Sequence, residues 1–438
     1  MTFKTPVCLG PIKVFRDMAE RSYFRKVFRS DFVRKVAETL ITRVLLIGLG
    51  IVSSVIVART LGPEGRGFYA IAISLGGLGV QFGNLGLHAS NTYYVAKKPD
   101  LLPTLISNSI AVSFLIGGIG SILFWGVLSI WPYLVKIEGV LLALTLVSIP
   151  FGLVYLLLQN LLIGIHEIHS FNKIEIGNRI ASLILVLGII LVQKVSVETL
   201  FLTHLSALFI SCAWILLQFK SRSPLIPRPS FAVFKNNLQY GFKAYVAALF
   251  AFLVLRSDLL LLQYMLGAEQ VGLYAVAVSV ADLTLLAPTV IGTLMFPRLA
   301  AMGNDRERWR YASRVARYVG GMMIVVALLV FLTADVLITF LYGSRFAPAT
   351  PALLWLMPGI VMLSINVIYM NYFASIGMPM ITVYSPGVAA LLNIGINMKL
   401  IPVYGIVGSS IASTVTYGAM LLFSFFYLYL KKLGATCR

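Results

Sequence analysis

Apolar runs of about 18 to 25 residues, the length that crosses a bilayer core, recur along this chain and are separated by short polar turns. They predict membrane helices near 40–58, 67–95, 103–129, 139–162, 174–193, 198–219, 240–264, 271–296, 315–342, 350–375, 379–401 and 404–430. That is about twelve spans, six in each half. Leu61-Gly62-Pro63-Glu64-Gly65-Arg66-Gly67-Phe68-Tyr69-Ala70-Ile71-Ala72-Ile73-Ser74 returns 205 residues later as Leu266-Gly267-Ala268-Glu269-Gln270-Val271-Gly272-Leu273-Tyr274-Ala275-Val276-Ala277-Val278-Ser279, with eight of fourteen positions identical. A match of that length at one offset, near half of 438 residues, marks an internal duplication. In membrane proteins, duplicated halves are the pattern of transporters, whose substrate site forms between two bundles.

Composition agrees, since 59% of residues are apolar and 12% are charged, far from the balance of soluble domains. The mean hydropathy is +0.91. The expected class is an all-α polytopic membrane protein. With the N-terminus in the cytoplasm, 27 of the 35 Lys and Arg fall on the inner side, 6 on the outer and 2 within spans. This asymmetry fits the positive-inside rule and places both termini inside. Six spans per half then give both halves the same orientation, so the repeat is parallel. The +19 net charge is accordingly topological, with no nucleic-acid surface implied.

The expected divisions are a basic cytoplasmic tail (1–38), an N-terminal six-helix lobe (39–219), a Pro-rich cytoplasmic linker (220–238), a C-terminal six-helix lobe (239–430) and a short cytoplasmic tail (431–438). The basic tail has no apolar signal-peptide core. Its Phe15, Met18, Tyr23, Val27, Phe28, Phe32 and Val36 recur at roughly helical spacing, the pattern of an interfacial helix on anionic lipid. No inter-span loop is long enough for a soluble catalytic domain, which weighs against an enzyme. His166-Glu167-Ile168-His169 lacks the i, i+4 histidine spacing of a zincin helix, and the three cysteines show no metal or disulfide spacing. No cofactor, metal or catalytic residue is expected.

Charge inside a span is costly and persists where it meets a partner or water. Arg43, Arg256, Asp258 and Asp282 are such residues. Arg256 and Asp258 point about 200° apart on one helix, so they cannot simply neutralise each other. Asp282 follows the repeated motif and is open to a role as a polar clamp. The apolar spans also carry amides at Asn84, Asn91, Gln159, Asn160, Asn366, Asn371, Asn393 and Asn397. Unpartnered amides are costly in hydrocarbon, so these either line a wet path suited to sugar hydroxyls or bind across helices.

The motif from Ala58 through Ala70, its second copy at Gly272 to Ala275, Phe296-Pro297-Arg298-Leu299, Tyr342-Gly343-Ser344-Arg345-Phe346 and Val403-Tyr404-Gly405 resemble the polysaccharide-transport flippases of the multidrug/oligosaccharidyl-lipid/polysaccharide exporter superfamily. The likeness runs from about residue 38 to 432 and leaves the basic tail uncovered. The longer lipid II flippase branch typically has two further helices that are not found here. The resemblance implies two six-helix lobes and export of a polyprenyl-diphosphate-linked sugar or oligosaccharide for O-antigen, capsule or exopolysaccharide synthesis. It further implies the cytoplasmic membrane of a bacterium, with membrane lipids and other polysaccharide-assembly proteins as partners.

On that footing Arg256 and Arg43 would bind the diphosphate headgroup, since charge-assisted bonds can replace its hydration. Asp258 and Asp282 would orient the arginines or take a coupling ion, and the eight amides would line the sugar path. A cation-coupled multidrug antiporter and a non-transporting assembly scaffold are the competing classes.

Overall fold

A computed structural model describes residues 31–131, 137, 139–220 and 228–436. Among these residues there are twelve α-helices and no strand. In chain order they are α1 (Asp31–Gly83), α2 (Leu87–Lys97), α3 (Leu102–Ile130), α4 (Gly139–Gly164), α5 (Ile168–Leu191), α6 (Val197–Lys220), α7 (Phe231–Leu266), α8 (Ala268–Thr284), α9 (Leu286–Ala301), α10 (Asp305–Tyr342), α11 (Thr350–Ser375) and α12 (Ile381–Thr436).

Helices and spans do not correspond one to one. A straight α1 would reach about 80 Å, far beyond a core of about 30 Å, and Gly62 interrupts it with φ 69° and ψ −177°. Arg66 Nη2 donates to Ser54 Oγ at 3.2 Å. An unbroken helix would hold those two residues about 18 Å apart. The element is therefore a hairpin of span 1 (31–61) and span 2, which α2 completes beyond a break at Leu85 and Gly86. By the same logic α12 turns back at Gly405, since Asn393 Nδ2 donates to Thr416 Oγ1 at 3.5 Å. It supplies spans 11 and 12. Helices α8 and α9, bent by 40° at Leu285, make span 8. Helices α3, α4, α5, α6, α7, α10 and α11 are spans 3, 4, 5, 6, 7, 9 and 10. The total is twelve among the described residues, six in each half, as the apolar pattern predicts.

The helix starts differ from the hydropathy estimates. Spans 5, 7 and 9 begin at Ile168, Phe231 and Asp305 instead of 174, 240 and 315. Capping explains two of them. Ser230 Oγ accepts from Val233 N at 3.4 Å, and Asn304 Oδ1 accepts from Arg306 N at 2.9 Å. Helix thus continues through polar residues that an apolar window reads as loop, and the second half of the 220–238 segment is the first turns of span 7. The helix of span 1 is already present at Asp31, and residues 1–30 of the basic tail lie outside the described residues.

The duplication is visible in the backbone. Gly62 (φ 69°, ψ −177°) and Gly267 (φ 91°, ψ 179°) hold nearly the same conformation. That region is open essentially to glycine. Five residues further, Gly67 and Gly272 bring spans 2 and 8 together backbone to backbone. A Cβ on Gly67 would stand 1.7 Å from the Ala268 carbonyl oxygen, and one on Gly272 would stand 1.8 Å from that of Pro63. This joins the lobes at the end that carries the Gly62 turn, the hairpin end. Arg59 adds a second tie there, its Nε donating to Leu341 O at 2.7 Å and its Nη2 to Phe340 O. A lobe-one side chain thereby satisfies the C-terminal carbonyls of span 9.

At the opposite, terminal end the lobes join on one side. A Cβ on Gly86 would meet Gly241 O at 2.3 Å, Asn237 Nδ2 donates to Asn91 Oδ1 at 3.0 Å, and Tyr93 stacks on Tyr240 with centroids 4.2 Å apart. Asn108 and Ser230 exchange two bonds of 2.9 Å, pinning the start of α7 to span 3. On the other side, no hydrogen bond or ion pair joins residues 41–61 of span 1 to α9.

Overpacking a well-fitted contact costs about 1–3 kcal/mol. Gly67→Ala is therefore expected to lower the thermal unfolding midpoint of the detergent-solubilised protein. Gly118→Ala, where a Cβ would meet nothing within 4 Å, is expected to leave it unchanged.

Candidate functional site

Between the lobes lies a cavity of about 380 Å³. Its wall comes from spans 1 and 2 (Ser53, Ser54, Arg66, Tyr69, Ser74), spans 5 and 6 (Arg179, His204) and spans 7 and 8 (Phe252, Arg256, Ser279, Asp282). The Gly67–Gly272 crossing and the Arg59 tie lie on its hairpin-end side. Arg256 and Asp282 remain 38% and 48% exposed although they lie in mid-span. The cavity is therefore open to solvent between apolar spans.

Three arginines face one carboxylate there. Arg256 Nη2 lies 3.7 Å from Asp282 Oδ2, close enough for attraction and too far for a hydrogen bond. Arg66 is more constrained. One Nη bonds Ser54, the guanidinium carbon lies 5.9 Å from the Tyr69 ring centroid, and its Nε is buried with no hydrogen-bond partner. A buried cationic donor without an acceptor carries a substantial desolvation cost, and a ligand anion would relieve it. Arg179 completes the set from span 5. With low-dielectric walls, this excess positive charge concentrates anions.

The candidates from the sequence divide by position. Arg256 and Asp282 come together in the cavity. Asp258 turns away into the C-terminal lobe, where it is 2% exposed and accepts from Tyr274 Oη at 2.7 Å and Leu259 N at 2.8 Å. A space of about 30 Å³ bounded by Asp258, Tyr274, Tyr417, Arg256 and Asp282 lies between it and the central cavity. That is room for about one water. Arg43 does not line the cavity; its Nη1 pairs with Glu175 Oε1 at 2.8 Å, tying span 1 to span 5.

None of the eight amides lines the central cavity. Asn84 pairs with His88 at 2.7 Å, and Asn91 bridges Ser109 and Asn237. Gln159 is buried in α4. Asn160 and Asn371 bond carbonyls of their own helices. Asn366 accepts from Ser424 at 2.8 Å, and Asn393 accepts from Ser257 at 3.2 Å and Asn397 at 3.0 Å. Several of these contacts join different spans, as interhelical polar bonds do in hydrocarbon. His169 pairs with Glu38, and among the described residues no three His, Cys, Asp or Glu cluster as metal ligands would.

Two cavity arginines escape a hydropathy reading. Arg66 counts as an outer-loop residue by composition, but the Gly62-Pro63 pair signals a helix that starts at once, with proline in its first turn, and Arg66 then reaches back to Ser54. Arg179 lies in the first turns of the expected 174–193 span, where it counts with Lys173 among the inner-side basic residues. Once α5 starts at Ile168, it stands about 16 Å along the helix.

The fold is similar to that of an inward-facing multidrug resistance MATE family transporter of the MOP superfamily (TM-score 0.71, 13% identity, 90% of this chain and 98% of that one). It is also similar to the lipid II flippase MurJ in an inward closed conformation (TM-score 0.75, 16% identity, 91% of this chain and 87% of that one). Residues 56–351 match the family described as polysaccharide biosynthesis protein, and the chain belongs to it. Among relatives, the probable low-salt glycan biosynthesis flippase Agl15 of Haloferax volcanii is 23% identical over 247 residues, 55% of this chain and 51% of that protein. The match thus spans about half of Agl15.

Losing a donor to a buried carboxylate costs about 1–3 kcal/mol. Tyr274→Phe is expected to lower the unfolding midpoint of the purified protein, whereas Tyr318→Phe, at a position 73% exposed, is expected not to.

Proposed function

We propose that this protein is a flippase that moves a polyprenyl-diphosphate-linked sugar or oligosaccharide across the cytoplasmic membrane, by alternating access, for cell-surface polysaccharide synthesis such as O-antigen, capsule or exopolysaccharide. The observation that carries the reading is the cavity's three arginines, Arg66, Arg179 and Arg256, set against the one carboxylate of Asp282. A diphosphate cannot cross hydrocarbon unaided, and guanidinium groups can replace its hydration with bidentate charge-assisted bonds. Family membership and the name of Agl15 point the same way.

The positive-inside asymmetry sets the terminal end in the cytoplasm, and the flippase takes its substrate from that side. Arg66 and Arg256 hold the diphosphate in this proposal, and Arg43 with Glu175 ties spans 1 and 5 beside the entrance. The lipid tail stays in the bilayer while the headgroup crosses between the lobes. An inside-negative potential favours outward movement of the anion by about 2.3 kcal/mol per charge per 100 mV, so transport by this route needs no nucleotide. Transport fits better than catalysis, because the mid-span arginines face a water-accessible cavity.

A cation-coupled multidrug antiporter is the second reading, favoured by Asp282 in the cavity and by the MATE-like fold. The cavity's excess of positive charge opposes cationic cargo.

The test is translocation of a fluorescent polyprenyl-diphosphate sugar in proteoliposomes under an imposed potential. Arg256→Ala and Arg66→Ala, folded and reconstituted like the native protein, are expected to cut the rate at least about ten-fold, the loss of a charge-assisted bond worth about 1.4 kcal/mol or more. No flipping by the native protein would overturn the assignment. Flipping by both variants at the native rate would keep the activity and discard the arginine site.

A further inference from the structure

The segment 298–317 carries six basic residues, and all six are arginine: Arg298, Arg306, Arg308, Arg310, Arg314 and Arg317. Orientation in the membrane makes no distinction between lysine and arginine, and it imposes no order on where the charges sit around a helix. Here there is order. Arg306, Arg310, Arg314 and Arg317 fall at i, i+4, i+8 and i+11 of α10, within about 80° of one another around the helix axis. All four are exposed, and among the described residues none lies within ion-pair distance of a carboxylate. Arg308, on the other side of the helix, is engaged in the fold. It donates to Leu299 O at 3.1 Å and to Met302 O, and pairs with Asp305 at 3.1 Å.

Length places the stripe at the membrane surface. Helix α10 has 38 residues, a length of about 57 Å, nearly twice the bilayer core. Its apolar run begins at Tyr318, a 73% exposed aromatic suited to the interface. Counting back from there, Arg317 and Arg314 lie about 2 and about 6 Å above the core boundary, within the headgroup layer, and Arg310 lies about 12 Å above it. That last distance is close to one Debye length.

We propose that this stripe is a binding surface for anionic phospholipid headgroups of the inner leaflet. Arg314 and Arg317 take the phosphates through their planar forks, which suit phosphate better than a lysine point charge. Arg310 and Arg306 extend the positive field outward. The stripe is independent of the central cavity and of the cargo assigned to it.

Native mass spectrometry of the full-length protein, released from nanodiscs of mixed phosphatidylglycerol and phosphatidylcholine, tests this directly. The native protein is expected to retain phosphatidylglycerol selectively. The R306Q/R310Q/R314Q/R317Q variant is expected to lose that selectivity, affinity falling roughly five-fold per arginine within reach of the surface. Replacing the same four by lysine is expected to give intermediate retention. Should the quadruple Gln variant fail to fold, R314Q/R317Q alone is expected to remove most of the effect. Equal phosphatidylglycerol retention by native and folded Gln variants would overturn the proposal. Should those variants also lose glycan export in cells while retaining the lipid, the stripe would instead be a surface for an acidic protein. Full retention by the lysine variant would overturn the phosphate-fork chemistry.

Discussion

The close crossing of spans 2 and 8 at Gly67 and Gly272 is the contact on which the rest of the structure depends. In lipid there is no hydrophobic force to press two lobes together, so close backbone packing between small residues takes its place. At these two glycines each backbone occupies the space a Cβ would need on the other. The repeated motif is therefore a self-complementary interface. Each copy supplies a helix start at Gly62 or Gly267 and, five residues later, the glycine that meets its counterpart. With that point fixed on the hairpin-end side of the cavity, Arg66, one residue before Gly67, is carried into the cavity wall.

Much of the architecture was legible from sequence because lipid enforces simple rules. Every backbone polar group must be satisfied within a span, so apolar runs map to helices and the twelve-span count follows. What the apolar windows lose is the helix beyond them. Ser230 and Asn304 start helices inside polar stretches, and Ile168 starts one six residues before the apolar window. Of the cavity charges, Arg256 and Asp282 were legible because nothing but function or pairing keeps an ion in mid-span. Arg66 and Arg179 were not: the depth of Arg66 depends on where a helix begins, and Arg179 stands near the inner end of its expected span, where it counts with the topological charges. The amides show the converse: hydrogen-bonding capacity alone does not distinguish a cavity lining from a joint between helices.

The two ends of the molecule differ in what it costs to part them. At the hairpin end, separating Gly67 from Gly272 gives up dispersion contacts that lipid or other side chains can replace, and Arg59 sits exposed at the surface, where water can take over its bonds to the span 9 carbonyls. The buried Tyr342 hydroxyl of span 9 also meets Ser54 of span 1 there, so parting this end has a polar cost as well. At the terminal end, parting span 2 from span 7 would break the buried Asn91–Asn237 pair and the Tyr93–Tyr240 stack. The buried Asn237 would then lose its bond to Asn91, and Asn91 one of its two partners, at the desolvation cost of the groups left unpaired. Residues 41–61 of span 1 have no such bonds to α9. The Asn91–Asn237 pair and the Tyr93–Tyr240 stack thus hold spans 2 and 7 together, and these few polar contacts make the two sides of the terminal end unequal although the lobes themselves are nearly equivalent.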